Sequence, residues 1–187
     1  MKTFFKIILV GVLIGLGVKL FVVESFTVPT DSMVPTLAVG QRVWLNKLPF
    51  HPKKGDVIGF EKNEEYFVKR IVGMPSDLVI TEGGRYQIFQ NKRLASDTQM
   101  SLLKIPKRGD AVQLDETNYA FYQPLIEKEG NQIGKVINKI FINGLETTNY
   151  SFKQDYYFVQ GDNTGNSIDS RQFGLISEKS ILGRVIL

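Results

Sequence analysis

No cysteine occurs anywhere in the 187 residues, and histidine occurs once, as His51. The first absence excludes disulfides, thiol nucleophiles and cysteine-held metals. The second excludes a metal centre built from several histidines, so no metal site is expected. Although Lys and Arg outnumber Asp and Glu by 23 to 19, no long basic block or stripe of interleaved basic and aromatic residues stands out. Nucleic acid is therefore not an expected partner, and the mild positive balance suits an anionic membrane surface better. Repeats, low-complexity tracts and Pro/Ser-rich linkers are absent as well. What is present is a chain 43% hydrophobic and 22% charged, enough for one sizeable core with a smaller lobe attached.

The chain begins "MKTFFKIILVGVLIGLGVKLFVVESF". Residues 7–23 are apolar except for Lys19, and a helix of that length spans about 25 Å. Lys6 and Lys19 can snorkel toward the two interfaces and let Phe4 and Phe5 join the span. A cleaved signal peptide is the rival reading, but no small-x-small site follows the apolar run. The expectation is an uncleaved single-pass anchor over residues 1–24, in contact with the lipid bilayer. Gly11 and Gly15 make a lone GxxxG, which is weak support for helix pairing. Lys2, Lys6 and the amino terminus favour an N-terminus inside the cytoplasm, with the following domain outside.

Beyond the anchor, helical periodicity is scarce and strand signals are plentiful. "QRVWLNKL", "DVIGFEK" and "EYFVKRIVG" read as strands separated by turn formers. "DLVITEGGRYQIFQNKRL" reads as a hairpin turning at Gly83-Gly84, and "KVINKIFINGLET" carries the hairpin pair Asn143-Gly144. "YYFVQGDN" and "SILGRVIL" complete the strand set. One helix is predicted over 119–128, capped by Thr117 or Asn118. The fold class is thus mostly β: a strand-rich domain behind the anchor, formed by residues 25–81 and 155–187. Residues 82–154 carry no chemical motif and read as an inserted smaller β-rich lobe.

"FTVPTDSMVPTL" places Ser32 between Pro29 and Pro35. It is either an ordinary turn serine or a nucleophile, and a nucleophile needs a base. His51 sits in the solvated turn "LPFHPKKG", where Lys53 and Lys54 oppose an imidazolium, and it reads as a surface residue. Lys69 is the better candidate. In a strand, Phe67, Lys69 and Ile71 share one face, while Tyr66, Val68, Arg70 and Val72 take the other. If the first face is buried, desolvation disfavours the ammonium and frees the amine to act as a general base. Periodicity alone leaves open which face is solvated.

A third segment, "GDNTGNSIDSRQFG", begins with dense turn formers. Ser167, Asp169 and Arg171 fall at alternate positions and share a face if the chain is extended, setting a hydroxyl beside an Asp–Arg pair. A polar loop with a surface ion pair is the plainer reading. A calcium loop is rejected because Ser167 stands where glycine is needed and Phe173 where glutamate is needed.

These three segments, in this order behind an apolar N-terminus, resemble the type I signal peptidases, the membrane-bound serine–lysine endopeptidases of bacteria. "VPTDSMVPTL" is similar to that family's nucleophile box. "GDVIGFEKNEEYFVKRIVGMPSD" is similar to its Gly-Asp-Val and Lys-Arg boxes, and "GDNTGNSIDSRQFG" to its last. The likeness covers residues 26–77 and 156–183. It departs from the pattern at Asp31, where many members carry a small residue, at Thr164-Gly165 and at Ser76.

The resemblance implies that Ser32 is the nucleophile and Lys69 the general base. It implies an oxyanion hole formed by the Thr30 hydroxyl and the Ser32 backbone N–H. It makes Ser167 the hydroxyl that orients the lysine, and Asp169 with Arg171 the ion pair that braces the site. It implies no metal or organic cofactor. Its substrates are exported preproteins with small residues before the cleavage site, and its location is the bacterial cytoplasmic membrane with the catalytic domain on the outer side. Two other readings remain open on sequence: a dedicated processing or conjugation-type peptidase of the same family, and a catalytically inactive membrane-anchored binding protein.

Overall fold

The computed structural model describes residues 4, 6, 8–12, 22–82, 85–89 and 102–186. In chain order the strands begin with β1 (Val23–Thr27), β2 (Arg42–Asn46), β3 (Val57–Lys62), β4 (Glu65–Gly73), β5 (Leu78–Glu82), β6 (Arg85–Ile88), β7 (Leu102–Lys104) and β8 (Ala111–Gln113). They continue with β9 (Ile133–Val136), β10 (Lys139–Ile142), β11 (Leu145–Glu146), β12 (Asn149–Ser151), β13 (Tyr156–Gln160), β14 (Ile176–Ser177) and β15 (Ile181–Ile186). Helices cover Tyr119–Lys128 and Ser170–Phe173. The architecture is mostly β, with antiparallel pairing and few helices.

Most of the expected anchor lies outside the described residues. Residues 4, 6 and 8–12 are helical, and Phe4, Ile8, Leu9, Val10 and Val12 are exposed. Among the described residues, no helix is long and apolar enough to cross a membrane. Val23 and Glu24 already belong to β1, where they pair with Asn46 and Leu45. The apolar run hid this strand because Val22-Val23 extends a helix-like apolar pattern without a break.

The chain forms two compact units. The first takes Met1–Arg70, Gly161–Ser167 and Ile181–Leu187; the second takes Ile71–Gln160 and Ile168–Ser180. In the first unit the strand order is β1-β2-β15-β3-β4. Val43 and Leu45 alternate inward from β2 and bury with Val57 and Val185, as a half-covered antiparallel sheet requires. Gly183 of β15 lies so close to β2 that a Cβ there would come within 2.5 Å of the Asn46 carbonyl oxygen. β3 and β4 form a hairpin in which Lys62 faces Glu65. Its two loop residues, Asn63 and Glu64, both have positive φ, as a two-residue hairpin turn demands.

The second unit holds its own core, centred on Ile105, Phe121, Ile126, Phe152, Tyr156 and Phe158. β5 and β6 pair with Glu82 opposite Arg85; Gly83-Gly84, where the turn is expected, lies outside the described residues. Asn143 and Gly144, with φ of 53° and 81°, turn β10 into β11. A further turn, at Ile137-Asn138 within "KVINKI", separates β9 from β10. The helix Tyr119–Lys128 starts where expected, with Asn118 at its N-cap. The Asn118 side chain makes no capping bond; Asp115 accepts the Thr117 and Asn118 backbone N–H groups instead.

Candidate active site

Ser32 stands in a loop whose base is closed by two backbone bonds, Val28 N–H to the Gln41 carbonyl and Gly40 N–H to the Val28 carbonyl. Gly40 has φ of 77°, which suits glycine there. The sequence "SMVPTL" anchors the loop from within. Met33 and Leu37 are fully buried in the core of the first unit, and the Leu37 N–H bonds the Met33 carbonyl. Burial of each such side chain contributes about 1.5–3 kcal/mol. With these two side chains committed to the core, Ser32 is held at the core's margin at 6% exposure.

Lys69 comes from β4, and the face left open by periodicity is the buried one. Lys69 is 4% exposed and Phe67 is half-buried. Across the hairpin Lys69 is paired with Ile58, and Phe67 with Phe60. Ile58 and Phe60 are fully buried, and the two phenyl rings stack with centroids 5.5 Å apart. An amine on this apolar surface loses most of its hydration, which disfavours its charged form. Its Nζ lies 2.6 Å from Ser32 Oγ, within hydrogen-bonding distance. Thr30, exposed at the rim of the same loop, donates its hydroxyl to Ser32 Oγ at 3.1 Å.

The segment Gly161–Ser167 reaches the same loop. A Cβ on Gly161 would come within 2.5 Å of the Ser32 carbonyl oxygen and within 2.6 Å of Ser167 Cβ. Ser32 and Ser167 therefore flank one bare α-carbon, and only glycine allows the approach. The Asn163 N–H bonds the Ser32 carbonyl at 3.0 Å.

Asp169 and Arg171 belong to the second unit, and the extended chain that would set them on one face with Ser167 is not formed. Asp169 caps the short helix Ser170–Phe173 in a capping box with Gln172, so alternation does not continue through Arg171. The Asp169–Arg171 pair nevertheless forms, at 2.8 Å and 2.9 Å, with Asp169 fully buried. Its hydrogen bonds hold the Arg171 guanidinium even more firmly protonated. His51 is exposed in its turn before Pro52.

Sequence reasoning missed a second ion pair. Arg70, on the face opposite Lys69, grips Asp162 through two bonds of 2.8 Å and 2.6 Å. It also donates to the Gly55 carbonyl and the Thr36 hydroxyl. One side chain thus ties β4, the nucleophile loop and the 161–167 segment together. The Arg70 bonds hold the Asp162 carboxyl below the usual carboxylate range. Only the pattern "KR" beside "GD" hinted at the pair, and nothing in one sequence says which charges meet. Among the described residues, no acidic or histidine cluster could hold a metal.

Across residues 1–187 the chain matches the family described as signal peptidase, peptidase S26. Signal peptidase I of Leptolyngbya laminosa is 27% identical, covering 97% of this chain and 76% of that protein. Signal peptidase I of Aquifex aeolicus is 28% identical over 94% of this chain and 79% of its own length. That of Bacillus amyloliquefaciens is 27% identical over 95% of this chain and 82% of its own. A solved signal peptidase I from Enterococcus faecalis shares 25% identity over 72% of this chain and 97% of that one, with a TM-score of 0.33. The chain belongs to the signal peptidase family, peptidase S26, and is by that membership a serine endopeptidase.

Proposed function

We propose that this protein removes signal peptides from exported preproteins through a Ser32–Lys69 dyad. The observation that carries the reading is the 2.6 Å approach of Lys69 Nζ to Ser32 Oγ on a buried, apolar strand face. With Lys69 neutral, the Ser32 hydroxyl donates to Nζ. As Oγ attacks the scissile carbonyl carbon, its proton passes to the lysine. The new oxyanion takes hydrogen bonds from the Ser32 N–H and the Thr30 hydroxyl. When the peptide C–N bond breaks, the ammonium returns its proton to the leaving amine, and an ester to Ser32 remains. Lys69 then takes a proton from water, whose oxygen attacks the ester; as the ester C–O bond breaks, the ammonium returns that proton to Ser32 Oγ.

Ser167, beside Ser32 at Gly161, fits the role of orienting the lysine amine. Asp169 and Arg171 brace the chain directly after it. The small residues expected before the cleavage site suit an extended substrate segment docking by strand pairing. The apolar N-terminal run supports a single-pass anchor in the cytoplasmic membrane, with the N-terminus inside and the catalytic residues on the outer side. In this reading residues 25–81 and 155–187 supply the catalytic domain, and 82–154 the inserted lobe.

The test is incubation of detergent-solubilised protein with a precursor carrying an Ala-x-Ala site, followed by mass measurement of the products. A single cut after the second alanine, lost in Ser32→Ala, is the expected result. Uncut precursor, or equal cutting by Ser32→Ala, overturns the proposal.

A further inference from the structure

Asp31, directly before the candidate nucleophile, is held in a way its position does not require. Asn166 Nδ2 donates to both oxygens of its carboxylate, at 2.9 Å and 3.0 Å. Asn163 Nδ2 reaches the same carboxylate at 3.4 Å and the Asp31 backbone carbonyl at 3.3 Å. The Asn163 backbone N–H holds the Ser32 carbonyl. Asn163 and Asn166 are themselves joined, the Asn166 N–H bonding the Asn163 carbonyl at 3.1 Å. All of these residues lie in the first unit.

The geometry has a direct consequence for the Ser32 N–H. The Asp31 carbonyl and the Ser32 N–H belong to one peptide group, which is planar and rigid. Fixing the carbonyl at one edge fixes the direction of the N–H at the other. The next peptide, carrying the Ser32 carbonyl, is fixed in turn by Asn163 N–H. The Asp31 carbonyl also accepts the Val34 N–H of its own turn at 3.0 Å. Ser32 is thus clamped by that turn together with Asn163, and the carboxylate of Asp31 holds the side-chain amides of Asn163 and Asn166 in place. A carboxylate also opposes a developing oxyanion nearby, and the amide donors on both its oxygens temper that charge.

We propose that Asp31 is a positioning residue which, through Asn163 and Asn166, aims the Ser32 N–H at the oxyanion. The proposal rests on the reading of Ser32 as nucleophile. Asp31 touches no reacting atom in this role, so its removal acts on turnover and leaves substrate affinity alone.

The experiment is steady-state cleavage of the Ala-x-Ala precursor by the full-length protein in detergent, with thermal unfolding of the same samples. Asp31→Ala is expected to lower kcat by about 10- to 100-fold, the scale of a small misalignment, with KM held. Asp31→Asn keeps one carbonyl oxygen for the Asn166 amide and restores most of kcat. Asn166→Ala lowers kcat, and Asp31→Ala with Asn166→Ala is no slower than Asp31→Ala alone. Wild-type kcat in Asp31→Ala, a change confined to KM, or multiplying losses in the double variant overturns the proposal. If the wild-type protein cut no precursor, the proposed peptidase reading would fall separately. The midpoints then decide the clamp: equal shifts in both single variants and the double uphold it, and additive shifts overturn it.

Discussion

Lys69 Nζ lies 2.6 Å from Ser32 Oγ, and both side chains are buried. Across the hairpin, Lys69 faces Ile58, and Phe67 of the same strand face stacks on Phe60. An amine so placed serves as a base only when unprotonated, whereas a guanidinium keeps its proton at any working pH. Lys69→Arg is therefore expected to be as inactive in precursor cleavage as Lys69→Ala and Ser32→Ala. The double variant Ser32→Ala with Lys69→Ala is little worse than either, because the pair acts as a unit. Wild-type activity rises with pH as the lysine loses its proton, and His51→Ala leaves that profile unchanged. Retained cleavage in Lys69→Arg, or its loss in His51→Ala, would reassign the base.

Thr30 is exposed and donates its hydroxyl to Ser32 Oγ. In the proposed mechanism Oγ turns toward the substrate during attack, which leaves the Thr30 hydroxyl to donate to the oxyanion. Thr30→Val keeps the side-chain shape without the donor. It is expected to lower kcat about 10²–10³-fold, whereas Thr30→Ser keeps most of the activity. Unchanged turnover in Thr30→Val would show that another group completes the hole.

Two glycines of the same loop separate close approach from mere turn flexibility. A methyl at Gly161 collides with the Ser32 carbonyl and with Ser167, and the first of these is backbone that cannot swing aside. At Gly165 the only neighbour is Asn163 Oδ1, 4.0 Å away. Gly161→Ala should therefore lower both kcat and the unfolding midpoint, while Gly165→Ala leaves both near wild type. Equal behaviour of the two variants would mean that the loop adapts to the added methyl.

The strands were legible because apolar alternation is strong in "RVWLN", "VIGFEK" and "EYFVKRIVG", and because Asn143-Gly144 is a distinctive turn. The turn at Ile137-Asn138 was not, since an isoleucine with positive φ contradicts the local preference of a β-branched residue. The four-residue helix after Asp169 is too short to leave a periodic trace. Ser32 and Lys69 could be proposed from motif and face, but periodicity could not choose the buried face. Ile58 and Phe60 make that choice, and they lie on another strand. The Arg70–Asp162 pair, 92 positions apart, and the Asp31 clamp are likewise tertiary matches between residues that look ordinary in isolation.

Asp162 offers a test of how much the Arg70 brace contributes. Its carboxyl is held below the usual range chiefly by the hydrogen bond from Arg70, against the opposing effect of burial. In the unfolded chain the group titrates near 3.9. A carboxyl lowered on folding adds stability that is fully present above the unfolded value and is lost as pH falls through the lowered one. Asp162→Asn removes the charge at every pH. The stability gap between wild type and Asp162→Asn should be constant around neutrality and shrink as the medium is acidified below about pH 4, because protonated Asp162 comes to resemble the amide. Lowered carboxyls elsewhere, such as Asp110 and Asp115, are common to both proteins and drop out of the difference. Urea unfolding of the two proteins at a series of pH values measures the gap directly. A gap that stayed constant into strong acid, or widened there, would show that the bidentate pair between β4 and the 161–167 segment is not what stabilises the ionised form.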